Sequence, residues 1–103
     1  MNNPNPKLKV LDNPMQLIID ESIALGYAPI PDETKYAQCL HVKEWLAYRF
    51  NIYTWIVPQR DFTFIPYYKD LRDPRSHKKR YAFSECHMQA FVEGLLFAVK
   101  SIK

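Results

Sequence analysis

Hydrophobic positions along the chain follow two rhythms, one helical and one alternating. Met15, Ile18, Ile19, Ser22 and Ile23 recur at helical spacing with Asp20 and Glu21 opposite, which predicts a short amphipathic helix. Asn13 followed by Pro14 supplies a start, because Asn accepts from free first-turn N–H groups and Pro suits the first helical position. Gly26 supplies a stop, and two prolines in Tyr27-Ala-Pro-Ile-Pro31 predict an extended connector. Asp32 or Thr34 can cap a second helix running to about Phe50. Its buried stripe is Cys39, Val42, Leu46 and Phe50, widened by Tyr36, Leu40 and Trp45, and Asn51 ends it.

At Ile52 the rhythm changes. Ile52-Tyr-Thr-Trp-Ile-Val57 and Phe62-Thr-Phe-Ile-Pro-Tyr-Tyr68 are rich in β-branched and aromatic residues and flank the polar connector Pro58-Gln-Arg-Asp61, which predicts an antiparallel hairpin. Pro66 lacks an N–H, so the second strand has an unpaired side there or ends early. Tyr81 to Phe83 predict a brief third strand. Ser84 then caps a last helix with Met88, Phe91, Val92, Leu95, Ala98, Val99 and Ile102 on one broad stripe. Gly94 lies beside that stripe, where glycine costs about 1 kcal/mol relative to alanine; a closely packed backbone neighbour would account for it. The predicted order is α-α-β-β-(β)-α, a single small α+β domain over residues 14–103 behind a flexible tail at 1–13, with the antiparallel hairpin packed against helices.

Composition supports a folded chain. Of 103 residues, 48% are hydrophobic and 15% aromatic, which excludes the aromatic-poor composition of disordered segments. The opening MNNPNPKLKVLDN lacks the apolar run of a secretory signal, and charged residues interrupt every long hydrophobic stretch, so a soluble cytoplasmic protein is expected. In that setting Cys39 and Cys86 are expected as thiols. The net charge of +3 is concentrated in the loop 69–80, KDLRDPRSHKKR, which carries +4 and leaves −1 on the rest of the chain. The basic pI of 8.9 therefore belongs to one loop and not to a basic fold.

One resemblance can be drawn from the order of elements. A helix ending in Trp45-Leu46, a strand opening Ile52-Tyr-Thr-Trp-Ile56, a hairpin, then Phe83-Ser84 and a helix with Ala90, Gly94-Leu95 and Ala98 resembles small uncharacterised α+β proteins encoded in phages and mobile elements of anaerobic bacteria. The likeness spans roughly residues 32–103. In those proteins the last helix opens with an acidic Ser-Tyr-Glu-Glu-like turn, whereas Ser84-Glu85-Cys86-His87 keeps one acid. The family carries no assigned activity, so the resemblance implies a fold and a genomic context and no site.

Catalytic and metal motifs are sparse. The chain has two glycines and none of the G-x-G-x-x-G, phosphate-loop or H-E-x-x-H patterns. Cys39 and His41 would lie about 200° apart on a helix, and Cys86 and His87 about 100° apart, so neither pair suits a zinc chelate. Cys86 would sit in the first turn of the last helix, where the dipole favours a thiolate, but a sequence neighbour such as His87 points elsewhere and cannot act as its base. No catalytic residue, metal site or cofactor is expected.

Two surface features remain. Arg72, Arg75, Lys78, Lys79 and Arg80 beside Tyr67 and Tyr68 form a cationic, aromatic segment suited to phosphate contact and base stacking; a solvated loop is the plain alternative. The first two helices make a poor helix-turn-helix, since their connector is proline-flanked and the second helix lacks a basic face. The hairpin is apolar on both faces: Ile52, Thr54, Ile56, Phe62, Phe64 and Tyr68 on one, and Tyr53, Trp55, Val57, Ile65 and Tyr67 on the other. Either helices sandwich the sheet or a second copy covers one face. A non-catalytic interaction module, self-associating as a twofold dimer through Tyr53, Trp55, Val57 and Ile65, is the leading expectation. A nucleic-acid-binding accessory protein using the basic loop is the alternative.

Overall fold

A computed structural model describes residues 6–72, 79–80 and 86–102. The order is α1 (Pro6–Ala24), α2 (Lys35–Phe50), β1 (Ile52–Pro58), β2 (Phe64–Asp70), β3 (Lys79–Arg80) and α3 (His87–Lys100). This is a small α+β domain in which an antiparallel hairpin packs against helices. No described helix is long and apolar enough to cross a membrane.

Helix α1 begins earlier than Asn13-Pro14 suggested and runs straight through Pro14. An interior proline costs about 3 kcal/mol because it lacks an N–H and crowds the preceding turn. The compensation is packing. Leu11, Met15, Ile18 and Ser22 form one buried stripe, so the helical face extends upstream of the proline, while Ile23, expected in that stripe, is exposed. Lys35 Nζ bonds Asp12 Oδ2 at 2.8 Å and ties this upstream part of α1 to the start of α2. The C-terminal stop is as read: Gly26 has φ +107°, and the Tyr27 N–H donates to Ser22 O at 2.9 Å across the glycine.

Thr34, not Asp32, caps α2, its hydroxyl accepting from the Ala37 N–H at 3.1 Å. Asn51 closes the helix in the left-handed conformation. Cys39, Val42 and Leu46 are buried and Leu40 is exposed. Trp45 holds an aromatic chain together, edge-on to Tyr27 at 5.5 Å and to Phe50 at 5.3 Å.

Strand order is β1-β2-β3, and the hairpin register sets Ile52 opposite Asp70 and Pro58 opposite Phe64. Phe62 does not belong to the second strand. It occupies the turn with φ +64°, where its N–H donates to Gln59 O and Asp61 accepts from both the N–H and hydroxyl of Thr63. Those bonds hold the Asp61 carboxyl below its ordinary pKa, the Thr63 hydroxyl contributing most. The bonds Leu71 N–H to Asn51 O and Gln59 N–H to Thr63 O make the odd-numbered residues of β1 the hydrogen-bonded pairs. Pro66, opposite Ile56, therefore turns its missing donor away from β1. The described residues of β3 pair with Tyr67 and Tyr68, and the proline costs the β1–β2 ladder no bond. The third strand itself lies at Lys79–Arg80; residues 81–83, where it was expected, are outside the described residues, as is Ser84. Helix α3 starts after Cys86, which makes no side-chain cap bond.

The core gathers the α1 stripe, Cys39, Val42 and Leu46 of α2, Ile52 and Tyr68 of the sheet, and Phe91, Val92, Leu95, Ala98 and Val99 of α3. Gly94 faces the sheet. A Cβ built there would lie 2.8 Å from Cβ of Pro66, so the close neighbour is a proline ring on the central strand.

Candidate functional site

Register divides the hairpin into two chemically distinct faces. Ile52, Thr54, Ile56, Pro66 and Tyr68 face the helices; Tyr53, Trp55, Val57, Ile65, Tyr67 and Lys69 face the other way. The sequence alternation had grouped these residues correctly by face, apart from Phe62. On the outer face, Trp55 and Tyr67 are cross-strand partners stacked at 5.6 Å with an interplanar angle of 13°. Such an aromatic pair adds about 0.5–1.5 kcal/mol beyond its area. Tyr53 is 44% exposed, Trp55, Val57 and Tyr67 are half-buried, and Ile65 is buried. None of these five belongs to the core cluster or packs against it. Among the described residues the core cluster lies against one face of the sheet; on the other, Ile65 is closed off from solvent, Tyr53 is exposed, and Lys69 and, by register opposite Tyr67, Arg80 are the charged positions of that face. Beyond its end, Phe62 at the hairpin tip is 85% exposed.

The basic segment is divided. Arg72 is held by Asp70, Nη2 to Oδ2 at 2.6 Å and Nε to Oδ1 at 2.9 Å, with its guanidinium 5.6 Å from the Phe50 ring. The Arg72 side chain's bonds hold the Asp70 carboxyl below its ordinary value, and the same pairing raises Arg72. Arg72 is therefore engaged within the fold. Tyr68 corrects the base-stacking expectation more firmly: its ring is buried and edge-on to Phe97 at 5.2 Å, so no base can reach it. Tyr67 is the outer-face stacking partner of Trp55. Arg75 and Lys78 lie outside the described residues; Lys79 and Arg80 form β3 opposite Tyr68 and Tyr67.

The two thiols sit in different settings. Cys39 is buried, with Sγ 3.8 Å from Met15 O, and burial pushes its pKa up to about 12. It is a core residue and a poor nucleophile. Cys86 precedes α3, and His87 turns edge-on to Phe64 at 5.3 Å. Neither cysteine is in a disulfide, and the described residues hold no cluster of three metal-ligating side chains.

Sequence reasoning missed a cleft on the helix side of the sheet. It has a volume of about 170 Å³ and lies between α2, α3 and the hairpin, with Tyr36, Leu40, Ile56 and Phe91 as apolar walls and Lys43 and His87 as its charged or titratable members. Thr54 also lines it, and the Thr54 hydroxyl is buried without a hydrogen-bond partner among the described residues. Leaving such a group unsatisfied costs about 1–3 kcal/mol. The exposure of Leu40, out of step with its helical stripe, follows from its position on the wall of this cleft.

No family model, curated protein or solved structure matches the chain.

Proposed function

We propose that the protein is a non-catalytic interaction module that self-associates through the outer face of its hairpin. The observation that carries this reading is the Trp55–Tyr67 stack on a sheet face that no described helix covers. An antiparallel sheet solvated on one face normally alternates apolar with polar residues, yet Tyr53, Trp55, Val57 and Tyr67 present aromatic and β-branched groups there. Aromatic residues with little charge between them are the composition of an interface centre. A twofold axis through the Trp55–Tyr67 stack would set each stack against its symmetry mate and bury the face on both copies.

The test is a pair of surface variants compared by size-exclusion chromatography with light scattering. Trp55→Ser should convert a dimer to a monomer with the far-ultraviolet circular dichroism retained. The triple change Lys78→Ser, Lys79→Ser, Arg80→Ser should leave the dimer intact. A dimer that survives Trp55→Ser refutes the reading.

One observation favours a second reading, in which the basic segment contacts nucleic acid. The β2–β3 register sets Arg80 directly opposite Tyr67, next to the outer-face aromatics. With Arg72 engaged by Asp70, the phosphate contacts would fall to Arg75, Lys78, Lys79 and Arg80, and four such contacts give a salt slope of roughly −3 to −4 in log K against log salt. The triple variant that spares the dimer should abolish that binding; intact affinity would dispose of it.

A further inference from the structure

We infer that the cleft between α2, α3 and the sheet is a binding site for a single-ring aromatic carboxylate carrying a second, hydrogen-bonding substituent. Four independent features converge on that chemistry. At about 170 Å³ the cleft matches one aromatic ring, since an engineered apolar cavity of roughly 150 Å³ takes up benzene. Its walls suit a ring: Tyr36 and Phe91 stand edge-on to each other at 5.7 Å, and Leu40 and Ile56 complete the apolar surround.

Among the described residues that line the cleft, Lys43 is the charged side chain and no Asp or Glu is present. His87, which also lines it, is the first residue of α3, a helix of 14 residues with no acidic residue in its first turn. The N-terminal end of α3 therefore brings the positive end of the helix dipole to the cleft beside Lys43, and an anion is the complementary occupant.

The fourth feature is polar. Thr54 is 9% exposed, lines the cleft, and its hydroxyl has no partner among the described residues. A ligand hydroxyl is the group that satisfies it. The ring then lies among the apolar walls, the carboxylate meets Lys43 and the α3 N-terminus, and the second substituent reaches Thr54. Trp55 and Tyr67 of the cross-strand stack also contribute to the lining, and binding there rests on the cleft and not on self-association.

The probes are para-hydroxybenzoate, benzoate and benzylamine, added to the full chain while amide resonances are followed by two-dimensional NMR. The expected result is saturable shifts at Leu40, Thr54, Ala90 and Phe91 with para-hydroxybenzoate, benzoate weaker, and benzylamine weaker by about tenfold or more, in line with loss of a charge-assisted contact. Lys43→Met should weaken both acids several-fold, and Thr54→Val should erase the preference for para-hydroxybenzoate over benzoate. Thr54→Val removes an unsatisfied hydroxyl and keeps the side-chain shape, so the variant is expected to fold. Shifts absent at ~10 mM ligand, where a specific site of even modest affinity saturates, would overturn the inference. So would shifts equal for acid and amine, scattered over the surface, or unchanged by Lys43→Met.

Discussion

Gly94→Ala is a substitution whose sign separates helix propensity from packing. In an exposed helix the added methyl would stabilise by about 1 kcal/mol. Here it would lie 2.8 Å from Cβ of Pro66, whereas carbon atoms rest at about 3.5–4.0 Å, so α3 and β2 must part by roughly 0.7–1.2 Å. Nothing at the contact can swing aside, because the Pro66 ring is fixed to the backbone of the central strand. A gap of that size forfeits a quarter to a half of each dispersion contact between the layers, and overpacking of this kind costs about 1–3 kcal/mol. Net of propensity, Gly94→Ala should destabilise by up to about 2 kcal/mol, which for a domain of this size lowers Tm by about 4–8 °C per kcal/mol. Thermal and urea unfolding followed by circular dichroism give the value. A gain in stability would refute the reasoning, since it would mean that α3 does not approach Pro66 closely.

Three further outcomes follow from single contacts. Thr34→Ala removes the hydroxyl that accepts from the Ala37 N–H and should cost about 1 kcal/mol in urea unfolding. Ser22→Ala should stabilise by about 1 kcal/mol, because the Ser22 hydroxyl is buried without a partner among the described residues and alanine is the better helix former; a loss of stability would show that the hydroxyl has an acceptor. Cys39 should resist alkylation in the native state at neutral pH and react once unfolded. Its raised pKa favours the folded state fully below pH 9 and loses that contribution as pH climbs toward 12, so Cys39→Ala should flatten the alkaline fall in stability.

Elements whose signals are local were legible in the sequence. The cap at Thr34, the left-handed Asn51, the Gly26 stop and the α3 stripe each depend on residues within a few positions of one another, and the structure places them as read. Strand alternation likewise assigned the two hairpin faces. Legibility failed where a distant contact overrides a local rule. Pro14 marks a helix start by its own chemistry, but burial of Leu11 carries α1 back to Pro6. Phe62 has a strand former's side chain, but the Asp61–Thr63 bonds place it in the turn with positive φ. The cationic segment read as one patch because charge is visible in sequence and pairing is not; Asp70 and Phe50 claim Arg72, and Phe97 covers Tyr68. The cleft left no trace at all, since Lys43, Thr54 and His87 come from three elements and meet only when α2 and α3 dock on the sheet.

The central claim is that the face of the hairpin that no described helix covers joins two copies of the chain. Multi-angle light scattering on a sizing column, run at low and at moderate salt with the 260 to 280 nm absorbance ratio recorded across the peak, tests it most directly. The account predicts a mass of twice 12.2 kDa at both salts and an absorbance ratio of protein alone. A monomer at both salts, or a particle that carries nucleic acid and sheds it as salt rises, would contradict it.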